Sequence, residues 1–185
     1  MKSRVLRKVE WIASDECPRP DVSFVPMMER RRLSLVERAA LHVAWKVFDG
    51  QDAADGVQVP DPGSVPVVFA SRWGEIGTTL KLMSQMHSDG EMSPAGFSSS
   101  VHNAAPGAWS LFTKNRSPYT AIAARERTYE MGLLEAEAQL AAMPHGVVLY
   151  VYAEENTPDH YASAIPEVER ARATALLLVS GEGSL

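Results

Sequence analysis

The stretch "SPYTAIAARERTYEMGLLEA", residues 117–136, decides the fold because its pattern changes once, near its middle. The run "TAIAA" is short and made of small and β-branched residues, which is typical of a buried strand, whereas the segment that follows has helical spacing. A strand that turns directly into a helix is a layout on which many enzymes mount a nucleophile. The turn itself offers Arg125, Glu126, Arg127 and Thr128, and none of these is an obvious nucleophile.

Strands and helices alternate on both sides of this stretch. The clearest helix begins after Ser34, a possible N-cap, and carries apolar residues at helical spacing up to a stop at Gly50. Further helices are predicted from Trp73 to about His87, where Ile76, Leu80, Met83 and Met86 form one stripe, at about 99–113 and at about 127–142.

Five segments have the composition of strands. They are "VEWIAS" (Val9–Ser14), "VPVVFAS", residues 119–124, "GVVLYVYAEE" and "ATALLLVSGE". The last two are joined by a segment with weak helical patterning, so we expect them to be antiparallel neighbours. The sequence therefore predicts an α/β layered domain with about five mixed strands and covering helices.

Composition limits both the size and the partners of this domain. At 185 residues, 45% of them hydrophobic, the chain has apolar material for one core, so we expect a single domain over residues 1–185. Residues 49–66 are rich in Asp, Gly and Pro and are predicted to form a surface loop. The net charge of -5 argues against nucleic acid as a partner.

The chain also lacks the signals of an exported or membrane protein. Its one cysteine, Cys17, cannot form an internal disulfide, and no segment approaches the roughly 20 apolar residues of a membrane span. The N-terminus is too charged for a signal peptide. We therefore expect a cytoplasmic protein with no membrane partner.

Several of these segments together resemble the N-terminal half of β-ketoacyl synthases. The shared points are Ser93-Pro94, Asn103, Gly107, Pro118 and the strand "TAIAA", with "VVFASRWGEI" before them and "ATALLLV" after them. The likeness is greatest to short ketosynthase-like proteins of bacterial polyketide and aryl polyene gene clusters, and it extends from about Arg30 to Val179. It implies a thiolase-like fold of which this chain supplies about one half, with Asn103, Gly107 and Pro118 in structural roles.

The resemblance also identifies the position of the nucleophile. In ketosynthases the nucleophilic cysteine lies eight residues after the proline of a Gly-Pro pair, and the same count from Pro118 reaches Glu126. A carboxylate suits a helix N-terminus but cannot carry an acyl chain through thioester exchange. We therefore expect no catalytic residue in this chain, and we expect Arg125 and Arg127 to neutralise a buried Glu126.

The remaining catalytic parts of a ketosynthase are not expected either. The resemblance implies two histidines and a lysine from a C-terminal half that this sequence does not contain. The five histidines present are scattered and follow no ligand spacing, so neither a metal site nor a cofactor is predicted.

What the resemblance implies for an inactive relative is the role of chain length factor, which pairs with an active β-ketoacyl synthase and shapes the acyl tunnel. The strand before the nucleophile position would form the dimer interface; its residues are Tyr119, Thr120, Ala121, Ile122, Ala123 and Ala124. The region lining the acyl tunnel would supply Phe97, Val101, Trp109 and Phe112.

Two other functions remain open from the sequence. The chain could be a stand-alone hydrolase or acyltransferase that uses Ser98, Ser99 or Ser100 with His102, although it has no Gly-x-Ser-x-Gly elbow. It could also be one half of a split ketosynthase, against which the missing cysteine counts.

Overall fold

The computed structural model describes residues 3–49, 58–143, 146–161, 163 and 170–181. Its helices and strands follow in the order β1 (Ser3–Ile12), α1 (Met27–Arg30), α2 (Leu35–Phe48), β2 (Val67–Ala70), α3 (Ile76–Asp89), α4 (Pro94–Ser98), α5 (Ala104–Thr113), β3 (Tyr119–Ile122), α6 (Thr128–Ala141), β4 (Val147–Glu154) and β5 (Arg172–Ser180). Residues 50–57 of the predicted surface loop, Gly50 among them, lie outside these residues, and the described part of that loop contains a 3₁₀ turn at Pro62–Ser64.

The five strands form one mixed sheet in the order β1-β5-β4-β2-β3. The central strand pairs, β4 with β2 and β2 with β3, are parallel, whereas β5 runs antiparallel to both β4 and β1. The predicted five-stranded α/β sheet and the antiparallel pairing of the last two strands are thus confirmed. Among the described strands, β1 and β3 stand at the two edges.

Helices cover both faces of this sheet. On one face, α2 and α5 pack over the larger apolar cluster, which includes Leu149, Val151 and Leu177. On the other face, α6 packs over a smaller cluster that contains Val148 and Tyr150. Because β4 and β5 are buried on both faces, they read in the sequence as continuous apolar runs.

Helix α2 begins where the sequence predicts. The Ser34 hydroxyl accepts the Glu37 N–H at 3.0 Å, and the Glu37 carboxylate accepts the Ser34 N–H at 2.7 Å, which completes a capping box. The residues at helical spacing, Val36, Ala39, Ala40, Val43 and Val47, are buried against the sheet.

Three predictions of element bounds differ from the structure. Strand β1 begins at Ser3 instead of Val9, because its exposed charged side chains hide the strand pattern at this edge of the sheet. The helix predicted at about 99–113 begins only at Ala104, as α5, and a separate short helix, α4, ends at Ser98 before it. Strand β3 ends at Ile122, so two of the six residues predicted for it, Ala123 and Ala124, lie beyond the strand.

The helix predicted from Trp73 to about His87 is confirmed as α3, but its apolar stripe is half-buried at Ile76 and Leu80 and exposed at Met83 and Met86. Met83 and Met86 are 62% and 57% exposed, and Leu82 is the one buried residue among those described in this helix. The spacing of the stripe predicts the helix, yet helical spacing alone does not reveal which face meets the core.

Helix α6 approaches the sheet closely at Gly132. A Cβ atom at this position would lie 2.6 Å from the Ala70 Cβ and 2.8 Å from a ring carbon of Tyr150. The Tyr150 hydroxyl donates a hydrogen bond of 2.7 Å to the Tyr129 carbonyl, so the ring has little freedom to move aside. Gly132 therefore sets the distance between helix and sheet.

We predict that Gly132→Ala lowers the free energy of unfolding by about 1–3 kcal/mol, because the added methyl overpacks the contact. The matched control is Gly107→Ala in α5, where an added Cβ meets nothing within 4 Å. That change should raise stability by up to about 1 kcal/mol through helix propensity. Urea unfolding measures the free energy of unfolding of both variants. An equal effect of the two substitutions would contradict the close contact between Gly132 and the sheet.

Candidate functional site at the turn between β3 and α6

The candidate site lies where the parallel strands end. Because β2, β3 and β4 run in the same direction, their carboxyl ends lie side by side along one margin of the sheet, which the strands reach with their last residues. The segments that follow these strands, residues 71–75, 123–127 and 155–158, therefore come together there. In α/β sheets this edge is where ligands usually bind.

The turn after β3 is held in a strained conformation. Arg125 has a φ of 53°, a left-handed conformation that residues other than glycine rarely adopt. A 3₁₀ turn at Arg125–Arg127 then leads into α6. The buried hydroxyl of Thr128 fixes the turn, because it accepts the Ala124 N–H at 2.9 Å and donates to the Arg125 carbonyl at 2.7 Å.

Glu126 projects from this turn into solvent. Its side chain is 72% exposed, and its carboxylate pairs with the guanidinium of Arg72 at 2.9 Å. The prediction that Glu126 is buried and neutralised by Arg125 and Arg127 is therefore wrong. The flanking arginines are exposed as well, and the partner comes from the segment that follows the neighbouring strand β2.

Arg72 is itself held against an aromatic ring. Its guanidinium lies 4.8 Å from the centre of the Trp73 ring, and Trp73 stacks on Tyr161 at 6.0 Å. An open depression of about 400 Å³ adjoins these groups and is lined by Arg72, Trp73, Ala123, Ala124, Arg125 and Glu126. The lining thus offers guanidinium groups, an indole and a carboxylate, but no thiol or hydroxyl.

A buried carboxyl supports the turn that carries Arg72. Glu154, at the end of β4, is fully buried and accepts hydrogen bonds from the Ser71 hydroxyl at 3.1 Å, the Trp73 N–H at 3.3 Å and the Arg72 N–H. Burial raises the pKa of Glu154, while these hydrogen bonds act in the opposite direction. Sequence reasoning missed this residue, although two acidic residues directly after an apolar strand were a visible signal.

The predicted hydrolase pair does not form. The hydroxyls of Ser98, Ser99 and Ser100 all donate to backbone carbonyls of α4, those of Pro94 to Phe97. The His102 ring instead makes a hydrogen bond of 2.8 Å between its Nε2 and the Ser71 carbonyl, and it packs against Gly74. The serines and the histidine are therefore occupied separately, as parts of the local structure.

The four residues predicted to line an acyl tunnel lie in two different environments. Trp109 is 2% exposed and stacks with Phe48 at 6.0 Å, and Phe112 packs on the same core. Phe97 and Val101, by contrast, are 58% and 37% exposed. The structure does not bring the four together on one surface of the chain.

Two of the three residues predicted to be structural contact β2 or β3. The Pro118 carbonyl accepts the Val67 N–H at 3.1 Å, which begins the pairing of β3 with β2. The Asn103 side chain lies within 3.4 Å of the Tyr119 hydroxyl, at the edge of the sheet. A Cβ atom added at Gly107 would meet nothing within 4 Å, so no close contact requires a glycine there.

Two features are absent from the described residues. None of the helices in the described part has the length and apolarity needed to cross a membrane. The described residues hold no group of three or more His, Cys, Asp or Glu side chains that could bind a metal ion. Cys17 is exposed and does not line the depression.

We predict that Glu154→Ala lowers the free energy of unfolding by at least about 2 kcal/mol, because it leaves several buried donors without an acceptor. Glu126→Ala serves as the control and should change it by less than about 1 kcal/mol, as expected for an exposed ion pair. Thermal and urea unfolding measure both variants. Similar small effects would mean that Glu154 does not hold the Ser71–Trp73 turn.

The chain matches one family model over almost its whole length. Residues 6–185 match the family model described as "Beta-ketoacyl synthase, N-terminal domain". No curated protein matches the chain.

Several solved structures share the fold. The chain is 28% identical to a chain of the ketosynthase ApeO in complex with its chain length factor ApeC from Xenorhabdus doucetiae, with a TM-score of 0.72. The match covers 86% of this chain and 63% of that one, so this chain spans less than two thirds of its relative.

More distant structures have the same fold at lower identity. The ishigamide ketosynthase/chain length factor matches with a TM-score of 0.65 and 17% identity, covering 83% of this chain and 45% of that chain. A β-ketoacyl synthase from Burkholderia phymatum matches with a TM-score of 0.61 and 15% identity over 85% and 45% of the two chains. These likenesses confirm the predicted thiolase-like fold, and the family model shows that the chain belongs to the β-ketoacyl synthase N-terminal domain family.

Proposed function

We propose that this chain is a non-catalytic ketosynthase-like subunit, a chain length factor, that pairs with an active β-ketoacyl synthase in polyketide or aryl polyene biosynthesis. The observation that carries the proposal is Glu126. It occupies the position where the family's nucleophile is expected, on a strained turn between β3 and α6, and it pairs with Arg72 at 2.9 Å.

The chemistry of this turn supports a role without catalysis. A ketosynthase holds its acyl chain as a thioester, and thioester exchange needs a thiolate. The turn presents a carboxylate in an ion pair, and the depression beside it has no cysteine, serine or threonine in its lining. A negative charge before α6 is still favourable because it lies near the positive end of the helix dipole.

The relatives support a partner of the ketosynthase type. The solved structure with 28% identity holds a ketosynthase and its chain length factor together, and the ishigamide structure is described by the same pair of names. Carrying that arrangement over to this chain is part of the proposal.

The edge strand β3 offers a place for the partner to pair. The carbonyls of Pro118 and Ile122 accept hydrogen bonds of 3.1 Å from Val67 and Ser71, so they face β2. Backbone groups of alternate residues point to opposite edges of a strand, so those of Tyr119 and Ala121 face the open edge. An open edge of this kind is an aggregation risk unless it is covered, which favours a partner strand.

The exposed aromatic residue of α4 is the better candidate for contact with the acyl chain. Trp109 is in the core of this chain, whereas Phe97 is exposed and can contact a partner or a ligand without loss of the fold. Each buried methylene contributes about 0.8 kcal/mol, so apolar side chains at a tunnel end can set the length that is held. We assign Phe97 and Val101 to that role.

The proposal predicts the outcome of co-expression with a full-length ketosynthase and its carrier protein. The two proteins should co-purify one to one, and intact-mass measurement after loading with an acyl donor should find the acyl group on the ketosynthase and none on this chain. If this chain alone became acylated and condensed malonyl units, the proposal would be overturned.

A proline at the open edge tests the pairing strand separately. We predict that Ala121→Pro reduces affinity for the ketosynthase at least about tenfold, because it removes the N–H that faces the partner and keeps the bonds to β2. Ala121→Ser, which keeps the N–H, is the matched control. Size-exclusion chromatography and titration measure binding, and unchanged binding by a folded proline variant would exclude β3 as the pairing strand.

A further inference from the structure

Helices α3 and α4 form an arm that is weakly packed on the rest of the chain. Leu82 is the one buried residue described in α3, and it lies against α4, where a Cβ at Gly96 would come within 2.8 Å of its Cδ2. Within the described chain, α4 is the only helix or strand that α3 packs against extensively. The arm therefore depends on its base, at the N-terminus of α3, for its position.

The base of the arm is built from carboxyl groups. Glu75, the residue before α3, is 3% exposed; its side chain accepts the Ser34 hydroxyl at 2.9 Å and the Thr78 hydroxyl at 3.3 Å. The Glu155 carboxylate accepts the Gly77 N–H, in the first turn of α3, at 2.7 Å. These contacts tie α3 to the start of α2 and to the end of β4.

Ser34 also belongs to the capping box of α2. It therefore contacts two buried carboxyl groups, that of Glu75 and that of Glu37. Glu37 is 6% exposed and accepts the Ser34 N–H, while the Ser34 hydroxyl reaches Glu75. Glu75 therefore faces the negative charge of Glu37 from α2 and that of Glu155 from beyond β4.

No described cation pairs with this group of carboxyls. None of the ion pairs between described residues includes Glu37, Glu75 or Glu155. The described cations near these carboxyls include Arg38, next to Glu37 in α2. They also include Arg32 and Lys81, which line a polar cavity of about 330 Å³ together with Ser34, Glu37 and Thr78.

Burial in this setting makes the charged form of Glu75 unfavourable. Desolvation, and then the charges of Glu37 and Glu155, raise the pKa of Glu75 from 4.5 to about 8. The hydroxyls of Ser34 and Thr78 act in the opposite direction. At neutral pH the carboxyl in the seated arm therefore holds its proton.

We propose that the position of the α3–α4 arm depends on the protonation of Glu75. The arm is seated, that is, packed on the rest of the domain, while the Glu75 carboxyl is protonated, and the arm detaches when that carboxyl ionises. When the base opens, Glu75 reaches water, gives up its proton to solvent and no longer lies against two other carboxyl groups. The arm carries Phe97, so pH would adjust the position of the surface that our proposed function assigns to the partner; the proton linkage itself stands without that assignment.

The direction of the pH dependence follows from the two states. The pKa of Glu75 is about 8 in the seated arm and near the ordinary 4.5 in the open one. Below pH 4.5, protonation of Glu75 stabilises the seated arm fully. This stabilisation decreases as the pH rises and is absent above about pH 8. Between those limits each pH unit should increase the opening equilibrium constant by up to about tenfold, as expected for one proton released.

Hydrogen exchange of the full chain, read by mass spectrometry over residues 76–89 from pH 5 to 9, tests the linkage. After correction for intrinsic exchange, opening of the wild-type arm should rise by up to about tenfold per pH unit and level off near pH 8. Glu75→Gln imitates the protonated carboxyl and has no proton to release at this position. The slope of the log opening constant against pH should therefore be smaller by about one than in the wild-type chain. The control Glu91→Gln changes an exposed carboxyl just after α3 and should keep the wild-type slope.

A second variant covers the case in which Glu75→Gln does not fold. Glu155→Gln removes a neighbouring negative charge and keeps an oxygen for the Gly77 N–H, so opening should level off at a lower pH than in the wild-type chain. Equal slopes in wild type and Glu75→Gln, or no shift in Glu155→Gln, would overturn the proposal. These measurements need no partner, so their failure would leave the proposed pairing untouched.

Discussion

The carboxyl group of Glu154 is the constraint on which the candidate site depends. It is buried at the end of β4 and gathers three donors from the segment that follows β2. That segment is thereby folded back, and its Arg72 is directed toward the turn after β3. Since a buried carboxyl without such donors would be strongly unfavourable, the position of the turn and the burial of Glu154 require each other.

Much of the fold could be predicted because its signals are local. The capping box at Ser34 and Glu37, the apolar runs of β4 and β5 and the strand-to-helix change near residue 124 each depend on residues close together in the chain. The edge strand β1 was harder to place, because its exposed side chains are selected for solubility and carry little of the strand pattern. The stripe of α3 predicts a helix but not its exposure, because helical spacing does not tell which face meets the core.

The candidate site could be located but not described from the sequence. Counting from Pro118 predicts Glu126 at the nucleophile position, and the structure shows that this residue lies on the turn between β3 and α6. Its ion-pair partner, Arg72, lies 54 positions earlier in the chain and is brought near only by the parallel pairing of β2 and β3. The same is true of Glu75 and Ser34, 41 positions apart, whose contact depends on how α2 and α3 begin side by side.

Glu126 and the buried glutamates differ in how strongly the fold depends on them. An exposed ion pair contributes at most about 1 kcal/mol, so the residue at position 126 has little influence on whether the chain folds. The turn beneath it is held by Thr128 and by the strand ends, and neither contact involves the side chain at 126. A substitution at position 126 therefore changes the chemistry of the turn with little effect on stability. Glu154 and Glu75, with their buried hydrogen bonds, are the residues that shape the surfaces on both sides of it.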